Sequence, residues 1–335
     1  ENPDVLSFPE VSFFVPQFRL RFEKGKAVSD SKEFLKAFME AERDLRVNQN
    51  IDKPFPSTKR DEYLAAANAL KAHLQRGDIY EANYCIQFSV QSPSFDPFSG
   101  FYSLQKLTEA PFSVFSRMGD HFVLSASPER YLKREGRRLI SQPIKGTAKR
   151  YADLFLDEKS KAELKSDPKE RSENVMIVDL VRNDLSRVAE RGTVHVSELF
   201  GVHTFKTVHH LISTVEARLK KDLDSWDAIE ASFPMGSMTG APKISAMELI
   251  ERYENFKRGA YSGAFGIMKP NGDFDFNVLI RTLLYNTKNK MLGFGVGSAI
   301  TIKADPEKEY DECLLKAEAL MRSLREIEHE TTGAV

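Results

Sequence analysis

The sequence predicts an α+β protein built on largely antiparallel sheets. Three observations predict it. Strand-like runs follow one another in neighbouring hairpins. Helical stretches stand among them without strict strand–helix alternation. No glycine fingerprint of a doubly wound nucleotide fold is present. At 335 residues the chain suits one large core or two intimately packed lobes.

Residues 79–90 alternate an apolar set, Tyr80, Ala82, Tyr84, Ile86, Phe88 and Val90, with a mostly polar set, Glu81, Asn83, Cys85, Gln87 and Ser89. That is a strand with one apolar and one polar face. Residues 112–117 and 121–126 read as a hairpin around Met118, Gly119 and Asp120. A second hairpin turns at Glu135 and Gly136 and carries the chain from Tyr131 into residues 143–147. The charged stretch 157–173 reads mostly as solvated loop and helix surface. Asp167 and Pro168, a cap followed by a proline, open a helix that stops near Gly192. Residues 207–219 return to strand alternation. Ser225 caps a short helix through Ser232, and a two-glycine loop, PMGSMTGAP, leads into a helix over 243–254. Residues 261–302 read as three strands with turns at Asn271-Gly272 and at 286–290. Asp305 and Pro306 open the last helix, which runs to about Glu326.

Composition narrows the function. Hydrophobic residues make up 41% and charged residues 29%, the profile of a folded soluble protein. Lys plus Arg is 48 against 49 for Asp plus Glu, so no basic field recruits nucleic acid or anionic membrane. No apolar run has bilayer length, and the first 17 residues do not read as a signal peptide. Two cysteines give neither a disulfide framework nor a zinc cluster, which points to a reducing cytoplasm.

The clearest local geometry lies on the last helix. Glu309, Glu312 and Lys316 are spaced three and four apart and share one narrow stripe, apart from the apolar stripe of Tyr310, Leu314, Ala317, Met321 and Leu324. Such carboxylates can hold a hard cation such as magnesium; the bland alternative is a solvent-facing Glu–Lys pair. Glu173 and Glu129 taken alone read as exposed glutamates. Lys145, between Ile144 and Gly146, could lose its proton in a partly apolar pocket and act as a nucleophile. Arg281 sits inside the apolar run FNVLIRTLLY and needs a carboxylate partner or an anionic ligand. His210 within a strand reads as a core or supporting residue. The backbone amides near Gly295 and at Gly297, Ser298 and Ala299 either receive a carboxylate or mark a bulge or tight crossing. From the residues alone, the reading ends at a magnesium-assisted site for a small anion.

Several strings together resemble the chorismate-binding enzyme family: GDIYEANY (77–84), SASPERYL (125–132), PIKGTAKR (143–150), SENVMIVDLVRNDLSRVA (172–189), VHHLISTVEARL (208–219), FPMGSMTGAPKISAMELI (233–250), YSGAFGIM (261–268), IRTL (280–283), GSAI (297–300) and EKEYDECLLKAEAL (307–320). The resemblance spans roughly residues 60–325. It implies two interleaved α/β lobes with antiparallel sheets packed as a sandwich around a deep cleft, residues 1–60 being a shortened N-terminal portion and 61–330 the catalytic core. It also implies Mg2+ held by Glu173 and Glu312, with Glu309 direct or through water and Lys316 beside it. Arg281, Tyr261 and the amides of Gly297, Ser298 and Ala299 would hold the enolpyruvyl carboxylate of chorismate. His210 and Thr239 would line the ring pocket, and Glu129 would protonate the departing hydroxyl.

Lysine at 145 resembles the aminodeoxychorismate-forming branch, which serves p-aminobenzoate and folate synthesis; anthranilate-forming members resemble alanine there. The implied mechanism is covalent, through Lys145, with ammonia supplied by a separate glutamine amidotransferase subunit. Glu81 stands where isochorismate- and salicylate-forming members carry a water-activating lysine, and where glutamine is common in amine-forming members. Its carboxylate has no full explanation from sequence. No Leu-Leu-Glu-Ser type string is present, so no tryptophan feedback site is expected. The alternatives are an anthranilate synthase large subunit and a catalytically silent, glutaminase-binding homologue.

Overall fold

The structure, a computed structural model, describes residues 2–41 and 51–326. In chain order the first elements are β1 (Leu20–Glu23), β2 (Lys26–Ser29), α1 (Lys32–Glu40), β3 (Phe55–Pro56), α2 (Arg60–Arg76), β4 (Glu81–Gln91) and α3 (Pro97–Thr108). Next come β5 (Phe112–Met118), β6 (His121–Ser127), β7 (Arg130–Glu135), β8 (Arg138–Gln142), β9 (Ile144–Lys149), α4 (Leu154–Ser166) and α5 (Pro168–Val188). The rest are β10 (His195–Thr204), β11 (Val208–Arg218), α6 (Ser225–Ser232), β12 (Gly240–Ala241), α7 (Lys243–Tyr253), β13 (Ala264–Met268), β14 (Phe274–Val278), β15 (Thr282–Asn286), β16 (Met291–Thr301) and α8 (Pro306–Glu326).

The α+β class is as predicted. Two seven-stranded sheets carry the molecule, and the strand pairs are antiparallel. The first sheet runs β12-β4-β16-β15-β6-β5, with β3 on β4; the second runs β10-β11-β8-β7-β14-β13, with β9 on β11. Helices α2, α3, α7 and α8 pack on the first sheet, and α4 and α5 on the second.

Start signals explain the helices. The Asp167 carboxylate accepts the amides of Lys169 and Glu170, and Pro168 begins α5. Asp305 likewise accepts the Glu307 amide at 3.1 Å at the start of α8. Two details differ from the sequence reading. Asp224, not Ser225, caps α6: its carboxylate accepts the Trp226 and Asp227 amides, while the Ser225 hydroxyl donates to Gly272 O. Helix α5 ends at Val188 rather than near Gly192, because Ala189 turns extended and bridges Leu219.

Residues 261–302 hold four strands rather than three. The apolar run around Arg281 is two strands in different sheets, and residues 279–281 carry the chain from one to the other. Both strands are largely buried, so hydrophobicity continues across the break and hides it.

Strand β4 explains the core. Its apolar residues Tyr84, Ile86, Phe88 and Val90 join a cluster with α2, α3, α7 and α8. Cys85, on its other face, joins a second cluster with residues of both sheets and α5. Glu81, Asn83 and Gln87 share that face and are buried too. The polar side of β4 is interior, so its residues need partners there. Leu6 and Phe8 also enter the second cluster. Of the two segments expected from sequence, residues 1, 42–50 and 327–330 lie outside the described residues.

Candidate active site

The site begins at the places where the chain changes sheet. From β6 to β7 it passes through Pro128 and Glu129; from β14 to β15 it passes through residues 279–281. The two passages lie side by side. The Val278 amide donates to Glu129 O, and the Ala126 amide to Arg281 O, each at 3.1 Å. A third connector, from α6 to β12, is pinned when the Asn83 amide donates to Thr239 O at 2.7 Å.

Lys145 enters from β9. Its Nζ donates to Glu81 Oε1 at 2.8 Å, and the two side chains are only 12% and 1% exposed. Burial favours the neutral amine, but the carboxylates of Glu81, Glu173 and Glu129 outweigh it and hold the ammonium above the ordinary lysine range. The sequence expectation of a lysine freed of its proton by an apolar pocket is therefore corrected: Lys145 stands as a charged, paired amine. Gly146 follows at φ +88°, and a Cβ there would meet Glu170 Oε2 and Leu164 Cδ1 at 3.0 and 3.1 Å. Only glycine suits that turn, which seats Lys145 close beneath α5.

Glu129 is not the exposed glutamate that its turn suggests. It is buried, and burial pushes its carboxyl up to about 7, against the pull of Ser237, Lys145 and the Ile144 amide. A carboxyl titrating near neutrality can carry a proton to a leaving group.

Glu173, on α5, is also buried and raised to about 7, chiefly by burial, with Lys145 opposing and Glu81 adding to the shift. Its Oε1 has no hydrogen-bond partner, but the Lys169 ammonium lies 3.8 Å away. The same ammonium reaches Glu309 Oε1 at 3.1 Å, and Ser298 Oγ donates to Glu309 Oε2. Glu173 and Glu309 thus already share one cation. Glu312 lies one turn on, half-exposed, 2.7 Å from Lys316. Burial pushes its carboxyl up, but Lys316, Lys169 and Lys145 prevail and hold it low. Lys316 also donates to Gly297 O at 2.8 Å, tying α8 to β16. The bland Glu–Lys pair describes 312 and 316; it does not describe Glu309, which is buried. Among the described residues, no three carboxylate, histidine or cysteine side chains converge as a formed metal cluster.

Arg281 stands without a charged partner among the described residues. Among the described residues, no ion pair or side-chain hydrogen bond to it is found, and burial alone lowers its guanidinium below the ordinary value. It is held at φ +49°, a conformation a non-glycine residue adopts at a cost. The structural ion pair, one of the two expectations from sequence, is not formed among the described residues. His210 feels its charge. Burial first, then Arg281, lowers the imidazole to about 3, so the ring is neutral at pH 7. Its Nδ1 pairs with Thr147 Oγ1 at 3.0 Å, and its buried Nε2 has no partner.

Thr239 is buried, its hydroxyl donating to Met235 O and Gly236 O. Tyr261 is buried with its hydroxyl 3.7 Å from Cys85 Sγ. Its ring lies where a Cβ at Gly295 would be, at 2.3 Å, and a Cβ at Gly297 would meet Cys85 Sγ at 2.5 Å. The register of β16 on β4 is unbroken, so these glycines mark a tight crossing, not a bulge. Strand β15 pairs only with residues 291–293 of β16. Beyond them alternate amides of β16 point away from β4, so no more than two of those at Gly297, Ser298 and Ala299 do.

Two residues at the site lie beyond the sequence candidates, Lys169 and Glu170, and so does the pairing of Glu81 with Lys145. The spacing of Lys169 and Glu173, one helical turn, is a signal that could have found the first.

Residues 2–322 match the sequence profile of the chorismate binding enzyme family, and the chain belongs to that family. Among individual relatives, it is 41% identical over 268 residues to the aminodeoxychorismate synthase of Streptomyces griseus, covering 79% of this chain and 36% of that one. It is 40% identical over 265 residues to aminodeoxychorismate synthase component 1 of Klebsiella aerogenes, covering 79% and 58%. The chain thus spans between about a third and three-fifths of the lengths of these relatives. The crystal structure of anthranilate synthase component I from Streptococcus pneumoniae TIGR4 superposes with a TM-score of 0.85 at 27% identity, over 96% of this chain and 76% of that one. The menaquinone-specific isochorismate synthase of Escherichia coli shares the fold, with a TM-score of 0.76 at 20% identity over 89% and 68%.

Proposed function

We propose that this chain converts chorismate and ammonia to 4-amino-4-deoxychorismate, the step towards p-aminobenzoate and folate. The observation that carries the reading is the placement of Lys145, a buried amine, within electrostatic reach of Glu129, a carboxyl that titrates near 7. The pair supplies a nucleophile and an acid in one site. The Lys145 nitrogen bonds to ring carbon 2, the ring double bonds shift, and the hydroxyl at carbon 4 leaves with the proton of Glu129. Ammonia then bonds at carbon 4 and expels the lysine. Two easier displacements replace one hard one. Arg281 and the outward amides of β16 suit the side-chain carboxylate, and His210 Nε2 offers a polar contact to the ring.

Magnesium fits the donors present. Glu173 and Glu309 are buried, share one cation already, and leave Glu173 Oε1 without a hydrogen-bond partner. Glu312 completes the set of hard oxygen donors. When bound, the ion supplies positive charge to the substrate's ring carboxylate and steadies the ring. Lys169, half-exposed, holds that charge in the protein alone.

The name "component 1" of bacterial relatives implies a second component. We take it to be a separate glutaminase that delivers ammonia, in the cytoplasm. No helix among the described residues is long and apolar enough to cross a membrane.

The test is product identity. The chain, chorismate, magnesium and ammonium are expected to give 4-amino-4-deoxychorismate by mass, while glutamine alone gives none. Anthranilate as the product would establish the other amine-forming branch, and no turnover would establish a silent homologue.

A further inference from the structure

We propose that Glu81 is a catalytic base that takes the proton from Lys145 and returns it at the end of the cycle. This rests on the covalent reading above and supplies what that reading lacks, since an ammonium has no electron pair with which to attack.

The geometry singles out Glu81. Other carboxylates within electrostatic reach of Lys145 are Glu173 and Glu170 on α5, Glu129 before β7 and Glu312 on α8; Lys169 and Lys316 pair with Glu173 and Glu312, and the neutral His210 on β11 meets β9 at Thr147. Glu81 alone among them is hydrogen-bonded to Nζ, at 2.8 Å. Glu129 must keep its own proton for the leaving hydroxyl, and Glu173 faces the shared cation. The second Glu81 oxygen, Oε2, is buried and without a partner, so it can hold a proton without breaking an existing bond. With both side chains nearly sealed from solvent, the proton has a short path to Glu81 and a poor one to water.

The steps balance. A proton leaves Nζ for Glu81. The freed electron pair bonds to ring carbon 2, the double bonds shift, and the carbon 4 hydroxyl leaves as water with the Glu129 proton. Ammonia bonds at carbon 4, and the lysine nitrogen leaves carbon 2 as a neutral amine. That amine takes the proton back from Glu81, and the new ammonium reprotonates Glu129.

The test follows adduct formation by rapid-quench intact-protein mass spectrometry, with chorismate and magnesium and no ammonia. Magnesium is kept saturating at every pH, and each variant rate is divided by the wild-type rate at the same pH, so that titrations common to both cancel. In Glu81→Gln the proton must go to solvent. The ratio of variant to wild-type rate is then expected to rise about tenfold per unit from pH 6 to 8, while Glu81→Asp stays pH-independent. A ratio that is constant or falls with pH would overturn the proposal. Absence of any wild-type adduct at Lys145, with Lys145→Ala as the blank, would instead bring down the covalent reading itself.

Discussion

Glu129 shows how burial of one side chain ties stability to pH. Its carboxyl lies near 7 folded, against about 4.5 unfolded. The native state therefore keeps a proton that the unfolded state releases, so stability falls as pH rises from about 4.5 to 7 and stays lower above that. At about 1.4 kcal/mol per unit, the cost at pH 8 is on the order of 3 kcal/mol. Glu129→Gln removes it. Melting at pH 8 is expected to rise by several degrees relative to wild type, with the gap closing near pH 4, while the rate of hydroxyl loss falls on the order of 100-fold or more. Calorimetry across pH with a parallel rate assay checks both. Sequence could not show this. A glutamate after Ser127-Pro128 looks exposed until β14 and the α6–β12 connector close over it. The same holds for Lys145: its flanks suggested an apolar pocket, but the decisive neighbour, Glu81, lies 64 positions away.

At the scale of elements, α8 was readable because its signals are local. Asp305-Pro306 fixed its start, and the three-and-four spacing placed Glu309, Glu312 and Lys316 on one stripe. Which of them faces inward was not readable, since it depends on Ser298 and Lys169. Helix α3 carries a similar start, Asp96-Pro97, and could have been found; α2 begins at Lys59 without a conventional capping side chain. Helix α4 falls in the stretch read as solvated, yet its Asp157 is buried and accepts Arg150, the Tyr151 amide and His209. For the metal, Glu312→Ala is expected to raise the magnesium concentration giving half-maximal rate by roughly tenfold or more. A magnesium titration of turnover reads it, and an unchanged midpoint would remove Glu312 from the set.

For the whole molecule, the fold class was legible because hairpin alternation survives in the sequence, whereas the passage of the chain between sheets was not. Strand β4 contributes to both hydrophobic clusters, and each contains one cysteine: Cys313 in the first, Cys85 in the second. Both thiols are fully buried, and burial pushes each up to about 12, so they are inert while folded. Because the clusters share a strand, they are expected to open together. Thiol labelling during denaturant unfolding should modify both cysteines in one step, coincident with loss of helical circular dichroism. Separate midpoints would show two independent units.

The paired passages at Glu129 and Arg281 bear on how such a molecule moves. Two covalent chain segments, stitched to each other by backbone bonds, form a seam between the sheets. A door travels least beside its hinge. Were one sheet to rock against the other, Glu129 and Arg281 would keep nearly the same separation, because each sits in a passage bonded to the other.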